Sequence, residues 1–403
     1  MPPLPRPRLL QPLLLALLLL MPLPAARAQV QSDPEGPAVP AAPAAVDTLP
    51  GMPPVPDPAN LYSEAAANRL SAAVAGALPR VYVPDVGSGD VTVIDPATLT
   101  VVDRFRVGPN PQHVVPAWDL GTLWVASSAG RGHVGGRLVP IDPKTGKPGQ
   151  PIEVDDAYNL YFTPDGRSAI VVAESQRRLE FRDPHTMALQ RTLPTPSCPG
   201  INHADFAIDG RYAIFTCEFG GALVKIDLVA GSVVGTLKLS RGGMPQDIRI
   251  APDGKAFYVA DMMADGVFVL DGDAFAETGF IPTGIGTHGL YPSRDGRKLY
   301  IANRGSHQVS GPPHGRGSIS VLDFGTRQVD TTWPIPGGGS PDMGNVSADG
   351  RTLWLSGRFD DVVYAIDTTS GAVRSVAVGH TPHGLTVWPQ PGRYSLGHTG
   401  NMR

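Results

Sequence analysis

A three-part pattern recurs seven times between Arg80 and residue 388, and it constrains the fold more than any other feature. Each unit holds a β-branched or aromatic run and an Ile-Asp-like pair, and most units add an Asp-Gly turn. Successive runs are separated by 42, 47, 44, 43, 42 and 54 residues, measured between Tyr82, Trp124, Val171, Phe215, Tyr258, Tyr300 and Trp354. Such regularity indicates a repeat architecture. Units of about 44 residues with four short strands predict an all-β protein, a seven-bladed β-propeller of four-stranded antiparallel blades.

Two sets of aspartates accompany the repeats. One set closes the second strand of every unit, at Asp95, Asp142, Asp183, Asp227, Asp271, Asp323 and Asp367. Seven carboxylates at one repeat position resemble a catalytic motif, but an aspartate that opens a turn bonds its own downstream backbone and explains them better. The other set precedes glycine in five units, from Asp165-Gly166 to Asp349-Gly350. Because glycine accepts positive φ, Asp-Gly between two apolar runs predicts a hairpin.

The two ends of the repeat region are complementary. The stretch "HGLTVW" (383–388) reads as a first strand without the rest of its unit, whereas "RVYVPD" at Arg80 lacks a first strand. We therefore expect the ring to close by joining N- and C-terminal strands in one blade. The segment "RYSLGHTGNMR" (393–403) is surplus to the repeats, and covering one mouth of the channel is a role open to it.

The repeats resemble a known family. "VTVIDPATLTVV", "VGPNPQHVV" and "DGRKLYIAN" are similar to the units of the YVTN, or YncE-like, β-propellers. The resemblance covers roughly residues 80–390 and implies the propeller fold, but no single activity, because the family consists mostly of uncharacterised exported proteins. A looser resemblance, to the heavy chain of methylamine dehydrogenase, implies a scaffold beside a separate redox subunit.

The segment before the repeats divides into three parts. Residues 1–28 have Arg6 and Arg8, a leucine-rich run and an Ala26-Arg27-Ala28 cleavage pattern, which predicts a secretory signal peptide cut before Gln29; a membrane anchor is the alternative. Residues 29–59 are rich in Pro and Ala and predict a flexible lead. Residues 60–79 have apolar side chains near helical spacing and predict a short helical arm before the propeller at 80–403.

Charge and cysteine content bear on location and partners. Removing residues 1–28 takes away three arginines and no acid, so the formal net charge goes from −4 to −7. A mildly acidic chain predicts no nucleic-acid partner, and signal cleavage would leave no membrane span. The prediction is a secreted or periplasmic protein. Cys198 and Cys217 are the two cysteines, and in an oxidising compartment they would pair; two unpaired buried thiols are the alternative.

Polar side chains recur at the start of each first strand, where a propeller brings them around one end of its channel. Four of them are histidines, whose imidazoles suit copper, zinc or iron, so His113, His203, His288 and His383 are the ligand-binding or metal candidates. Loops between second and third strands open on the same face. The supporting rim residues are Gln112, Asn159, Asn202, Gln246, Asp247, Asp342, Glu174, Glu218, Asp261, Arg304 and Arg358.

Three functional hypotheses remain open at this stage. The favoured one is an exported propeller that binds a small ligand or a protein partner at the histidine-bearing rim. The second is a metal-dependent or redox-partnered enzyme that uses the rim histidines, and the third is a structural or surface-interaction propeller without a small-molecule site. No nucleophile is identifiable, so catalytic residues and any cofactor stay unknown. Asp205 and Arg249, at matching positions of adjacent blades, predict a structural ion pair.

Overall fold

The computed structural model describes residues 45–130, 135–310, 315–398 and 400–403. Within them the chain forms seven four-stranded antiparallel sheets in a propeller ring, as the repeats predict. The strands in chain order are β1 (Arg80–Asp85), β2 (Asp90–Asp95), β3 (Thr100–Arg106), β4 (Pro111–Pro116), β5 (Leu123–Ser127), β6 (Gly136–Asp142), β7 (Lys147–Pro148), β8 (Ile152–Val154), β9 (Asn159–Phe162), β10 (Ala169–Ala173), β11 (Arg178–Arg182), β12 (Leu189–Pro194), β13 (Ile201–Phe206), β14 (Tyr212–Cys217), β15 (Ala222–Asp227), β16 (Ser232–Lys238), β17 (Pro245–Ile250), β18 (Ala256–Asp261), β19 (Gly266–Asp271), β20 (Ala276–Pro282), β21 (Thr287–Pro292), β22 (Lys298–Asn303), β23 (Ser318–Asp323), β24 (Gln328–Pro334), β25 (Pro341–Val346), β26 (Thr352–Gly357), β27 (Val362–Asp367), β28 (Val373–Ala377) and β29 (Thr386–Trp388).

The ring closes by strand exchange between the two ends of the repeat region. Strand β29 pairs antiparallel with β1, in the register Arg80 to Trp388, and completes the blade that β1, β2 and β3 begin. This confirms the predicted closure. The outer strand of the next blade is split into β7 and β8, both of which pair with β6, because Pro148 and Pro151 cannot donate ladder hydrogen bonds.

The aspartate markers act as turn residues. In the set that belongs to the Ile-Asp-like pairs, for example, Asp95 ends β2, and its carboxylate accepts a hydrogen bond from the Ala97 amide at 2.9 Å. In the Asp-Gly set, Asp165 accepts from the Arg167 amide at 3.1 Å, and Gly166 has φ of +70°. Both sets are therefore structural, as expected from turn chemistry.

Apolar side chains pack between neighbouring blades, while the innermost strands wall the channel. The six complete inner strands, β4, β9, β13, β17, β21 and β25, are buried along almost their whole length, whereas outer strands such as β16 alternate between partly and fully exposed residues. Cys198 and Cys217 form a disulfide, which confirms the predicted pairing. The bond ties the loop before β13 to the end of β14.

The expected helix before the propeller does not form. Residues 60–79 instead contain 3₁₀ turns at Ser63–Ala65 and Ala72–Val74, and further such turns occur at Glu218–Gly220 and Pro336–Gly338. Asn68 adopts a left-handed φ of 62°, which a continuous α-helix excludes. The Tyr62 hydroxyl donates to the Ile250 carbonyl at 2.7 Å, so docking on the propeller outweighs the helical spacing of this segment.

Residues 45–59 of the lead form no helix or strand, yet they contact the propeller. The Leu49 amide donates to the Asp209 carbonyl at 2.8 Å, and the Arg211 side chain pairs with Asp47 at 2.7 Å. The predicted signal peptide and the predicted lead up to residue 44 lie outside the described residues. In the described part of the chain, no helix has the length and apolar character needed to cross a bilayer.

A buried carboxyl in the closing blade gives a pH-dependent prediction. Asp85 is fully buried and accepts a hydrogen bond from Thr92 at 2.6 Å; burial raises the pKa of Asp85 to about 7, and neighbouring Asp90 adds to the rise while Arg104 opposes it. Because the folded-state pKa exceeds the unfolded value, the stability that this group provides is present at low pH and is lost as pH rises through about 7.

We therefore expect Asp85→Asn to stabilise the protein at pH 8, on the order of 2 kcal/mol, and to have little effect near pH 4. Denaturant titrations of wild type and variant at several pH values would measure this. The exposed Asp330→Asn provides the control. A gain from Asp85→Asn that does not depend on pH would contradict the assignment.

Candidate functional site

Residues 393–398 and 400–403, which we call the channel loop, fill the end of the channel where the inner strands finish. The loop folds back on itself through an antiparallel bridge between Ser395 and Met402. It also bonds the inner wall, since the Phe162 amide donates to the Leu396 carbonyl and the His398 amide donates to the Leu160 carbonyl, both at 3.0 Å. The channel is therefore closed at this end.

A buried ion pair anchors the channel loop. Arg403 Nη2 donates to Asp205 Oδ1 at 2.6 Å, and Asn401 Nδ2 donates to the same oxygen at 3.0 Å. The predicted pair of Asp205 with Arg249 is wrong, because the loop supplies the partner of Asp205. Arg249 Nη2 instead lies 3.8 Å from the Asp247 carboxylate.

Five histidines meet inside the channel, and we call them the histidine cluster. Four are the predicted candidates, and the fifth, His398, comes from the channel loop. Ring centroids are 4.4 Å apart for His203 and His398, and 5.2 Å apart for His113 and His398. All five side chains are at most 2% exposed; they are His113, His203, His288, His383 and His398.

The Asp342 carboxylate contacts two of these histidines. Its carboxylate lies 2.9 Å from His288 Nδ1 and 2.8 Å from His383 Nδ1, and it accepts from Arg304 at 2.7 Å. The remaining ring nitrogens also have partners: Arg304 donates to His288 Nε2, and the Tyr158 hydroxyl lies 3.3 Å from His383 Nε2. His288 and His383 are thus held by protein groups on both sides of the ring.

The other predicted histidines each have one open nitrogen. His113 Nδ1 lies 2.9 Å from the Tyr158 carbonyl, which can only accept, so Nδ1 carries the proton and Nε2 carries a lone pair. Nε2 of both His113 and His203 is buried without a hydrogen-bond partner among the described residues. These two rings and His398 each offer a ligand nitrogen, and the three nitrogens lie within 4.8 Å of one another.

Burial sets the charge state of the cluster. Loss of solvation lowers the pKa of His113 to about 4 and lowers the pKa values of His203, His383 and His398 well below their usual range. Burial alone would raise the pKa of Asp342, but Arg304 and the adjacent histidines outweigh it and hold that pKa well below its usual range. Burial lowers the pKa of His288 as well, so at neutral pH the cluster consists of neutral imidazoles, two of which contact the ionised Asp342 carboxylate.

Above the cluster, at the end where the inner strands begin, a cavity of about 480 Å³ opens to solvent; we call it the funnel. Burial raises the pKa of Glu218, which accepts from Asn202 Nδ2 at 2.8 Å on its wall. The disulfide holds the adjacent loop. The polar lining consists of Gln112, Ser128, Asp156, Tyr158, Glu174, Ser175, Arg177, Glu218 and Arg358.

Arg358 is the unusual residue of the funnel wall. Its side chain is 9% exposed, and its Nε and Nη1 have no hydrogen-bond partner in the described part of the chain. Burial lowers the pKa of Arg358, yet a guanidinium keeps its charge at neutral pH. An incompletely satisfied buried cation is costly, and an anion in the funnel would offset that cost.

The remaining predicted rim residues contact the histidine cluster or hold nearby backbone in place. Asn159 lies inside the histidine cluster, and Gln246 bonds the Met244 carbonyl at 3.3 Å. Asp247 accepts from the Leu290 amide at 2.9 Å and lies 3.4 Å from His398 Nε2. Asp261 accepts the amides of the turn that follows it, which is a structural role.

Sequence reasoning missed His398, Asn401 and Arg403. They lie beyond the last repeat, so no alignment of units brings them to the channel. The available signal was indirect. Once the repeats had been assigned to a closed ring, a segment that contains His398 and Arg403 remained without a place in any blade.

Comparison with protein families agrees with the architecture. A family model described as "YNCE-like beta-propeller" matches residues 42–391. No curated protein sequence matches the chain.

Solved structures share the fold at low identity. The periplasmic gluconolactonase PpgL of Pseudomonas aeruginosa has a TM-score of 0.62 at 19% identity, covering 78% of this chain and 99% of that one. A functionally unknown protein of Desulfotomaculum acetoxidans has a TM-score of 0.62 at 14% identity, covering 77% and 99%. Hydrazine synthase of Kuenenia stuttgartiensis has a TM-score of 0.56 at 18% identity, covering 75% of this chain and 93% of that one. At these identities the likeness concerns the fold alone.

Proposed function

This chain belongs to the YNCE-like β-propeller family, and from that premise we propose that it is an exported propeller that binds a small organic carboxylate in its funnel. The observation that carries the proposal is Arg358, a buried guanidinium on the funnel wall with Nε and Nη1 unpartnered among the described residues. Guanidinium groups bind carboxylates and phosphates with paired hydrogen bonds. Export is supported by the signal-like residues 1–28 and by the disulfide.

The rest of the funnel indicates what the carboxylate is attached to. The funnel wall also carries the carboxyl groups of Glu218 and Glu174, which can accept hydrogen bonds from hydroxyl or amino groups of the ligand. Phe219 and Val309 add apolar surface. The cavity of about 480 Å³ lies in the usual range of small-molecule sites, about 300–1,000 Å³. We therefore favour a hydroxylated or amino carboxylate over a protein partner.

Thermal denaturation with a ligand panel tests the proposal. The probes are gluconate, glutamate and citrate, each compared with its corresponding amide, on exported protein whose intact mass reports whether residues 1–28 are removed. A ligand present at about 100 times its Kd stabilises by about 2.7 kcal/mol, so at least one acid should raise the melting temperature by a few degrees while its amide does not.

The matched variants are Arg358→Gln in the funnel and Arg374→Gln on the outer strand β28. Arg358→Gln should abolish the rise, and Arg374→Gln should preserve it. A panel without any response, or equal responses from acid and amide, would favour the structural propeller without a small-molecule site.

A further inference from the structure

We propose that His113, His203 and His398 form a binding site for one divalent transition-metal ion of the zinc or copper class. The site lies below the funnel and takes one ligand from the channel loop, so it differs from the set of four rim histidines. It does not depend on the carboxylate site. Three imidazoles are a common ligand set for such ions.

Two of the three rings carry a nitrogen without a hydrogen-bond partner in the part of the chain that the structure describes. His113 Nε2 and His203 Nε2 are buried and unpartnered within the described ranges. An imidazole nitrogen without a partner in a protein interior loses the hydrogen bonds that water would give it. His383 differs, because both of its ring nitrogens have hydrogen-bond partners. His288 Nδ1 has no hydrogen bond of good geometry among the described residues, but it lies 2.9 Å from the Asp342 carboxylate and is therefore not open to an ion. Two of the three rings that converge therefore carry an open nitrogen.

The three rings also converge closely enough to share one ion. One nitrogen from each of the three rings lies within 4.8 Å of the others. With metal–nitrogen bonds of about 2.0–2.1 Å, ligands of a tetrahedral ion are about 3.4 Å apart. Small rotations of the rings about their side-chain bonds close that difference of about 1.4 Å or less.

Asn159 orients two of the three imidazole rings. Asn159 Nδ2 lies 3.2 Å from Nδ1 of both His203 and His398, so one carboxamide holds two of the rings. Turning the carboxamide over presents its oxygen instead, and the side chain thereby accommodates either ring tautomer. Hydrogen bonds to the outer nitrogen of a ligating histidine fix ring orientation in metal sites.

Full burial dictates how an ion would enter. All three rings are 0% exposed, with the channel loop closing one end of the channel. Since His398 is carried by that loop, the ion would be captured when the loop docks. Loading should be rapid during refolding and slow in the folded apo protein.

The test uses tag-free protein with its disulfide intact, unfolded with a chelator and refolded with Zn²⁺, Cu²⁺ or Co²⁺. After gel filtration we expect about one ion per chain by elemental analysis, a higher melting temperature than the apo protein, and visible Co²⁺ absorption typical of four-coordinate nitrogen ligation. Less than about 0.2 ion per chain after refolding would overturn the site.

Variants assign the ligands. His113→Gln, His203→Gln and His398→Gln should each lower the bound ion at least tenfold, whereas the exposed double control His185→Gln/His380→Gln should retain it. His398 lies outside every strand of the propeller, and circular dichroism of His398→Gln would report whether the blades still fold. Undiminished binding in folded His398→Gln protein would also overturn the site.

Discussion

Replacing Arg403 with alanine should destabilise the protein by about 3–5 kcal/mol, because the change leaves the Asp205 carboxylate buried without its charged partner. Asp205 is fully buried and Arg403 Nη2 donates to it at 2.6 Å. The pair also fixes the channel loop, so its loss should release His398 from the histidine cluster. Denaturant unfolding measures the first effect, and hydrogen exchange of the His398 amide, which donates to the Leu160 carbonyl, reports the second.

A double-mutant cycle separates the ion pair from simple loss of packing. Asp205→Asn combined with Arg403→Ala removes the stranded charge and should recover a substantial part of the loss. Arg374→Ala, on the exposed strand β28, should change stability by no more than about 0.5 kcal/mol. If Arg403→Ala were as mild as Arg374→Ala, the channel loop would not be anchored as described.

Replacing Asp342 with alanine is the second change for which we expect a large effect. Asp342 is fully buried and contacts Arg304, His288 and His383. Its removal leaves the Arg304 guanidinium buried beside two imidazoles with no compensating carboxylate. We expect a loss of about 3–5 kcal/mol in denaturant unfolding, with Asp342→Asn losing less because it retains size and hydrogen-bonding capacity.

The comparison variant is Asp103→Ala, which breaks an exposed pair with Lys147 at 2.8 Å. Exposed pairs contribute about 0–1 kcal/mol, so this variant should remain close to wild type. Equal effects of Asp342→Ala and Asp103→Ala would contradict the role of Asp342 as the charge centre of the histidine cluster.

The fold could be predicted because each blade encodes its own hairpins. Asp-Gly pairs such as Asp295-Gly296 specify a turn within a few residues, and the spacing of the runs then fixes the number of blades. Ring closure followed from counting strands at the two ends. The helix predicted over residues 60–79 was wrong because apolar spacing is a weak signal in a segment that packs on a preformed surface.

The site could be predicted only in outline. The repeat alignment brought His113 and His203 to one channel, since first strands converge on the propeller axis. Which histidines keep an open nitrogen depends on contacts across many blades, such as Asp342 with His288 and His383, and no spacing rule contains that information. His398 and Arg403 act from outside the repeats, so their positions required the folded channel.

The binding claim rests on Arg358, and a crystal soaked in sodium selenate tests it most directly. Selenate offers paired oxygens to a guanidinium and gives an anomalous signal that locates it without ambiguity. We predict an anomalous peak in the funnel within hydrogen-bond distance of the Arg358 guanidinium, absent from Arg358→Gln crystals. Nε and Nη1 of Arg358 paired with a protein carboxylate, together with a funnel free of selenate, would contradict the account.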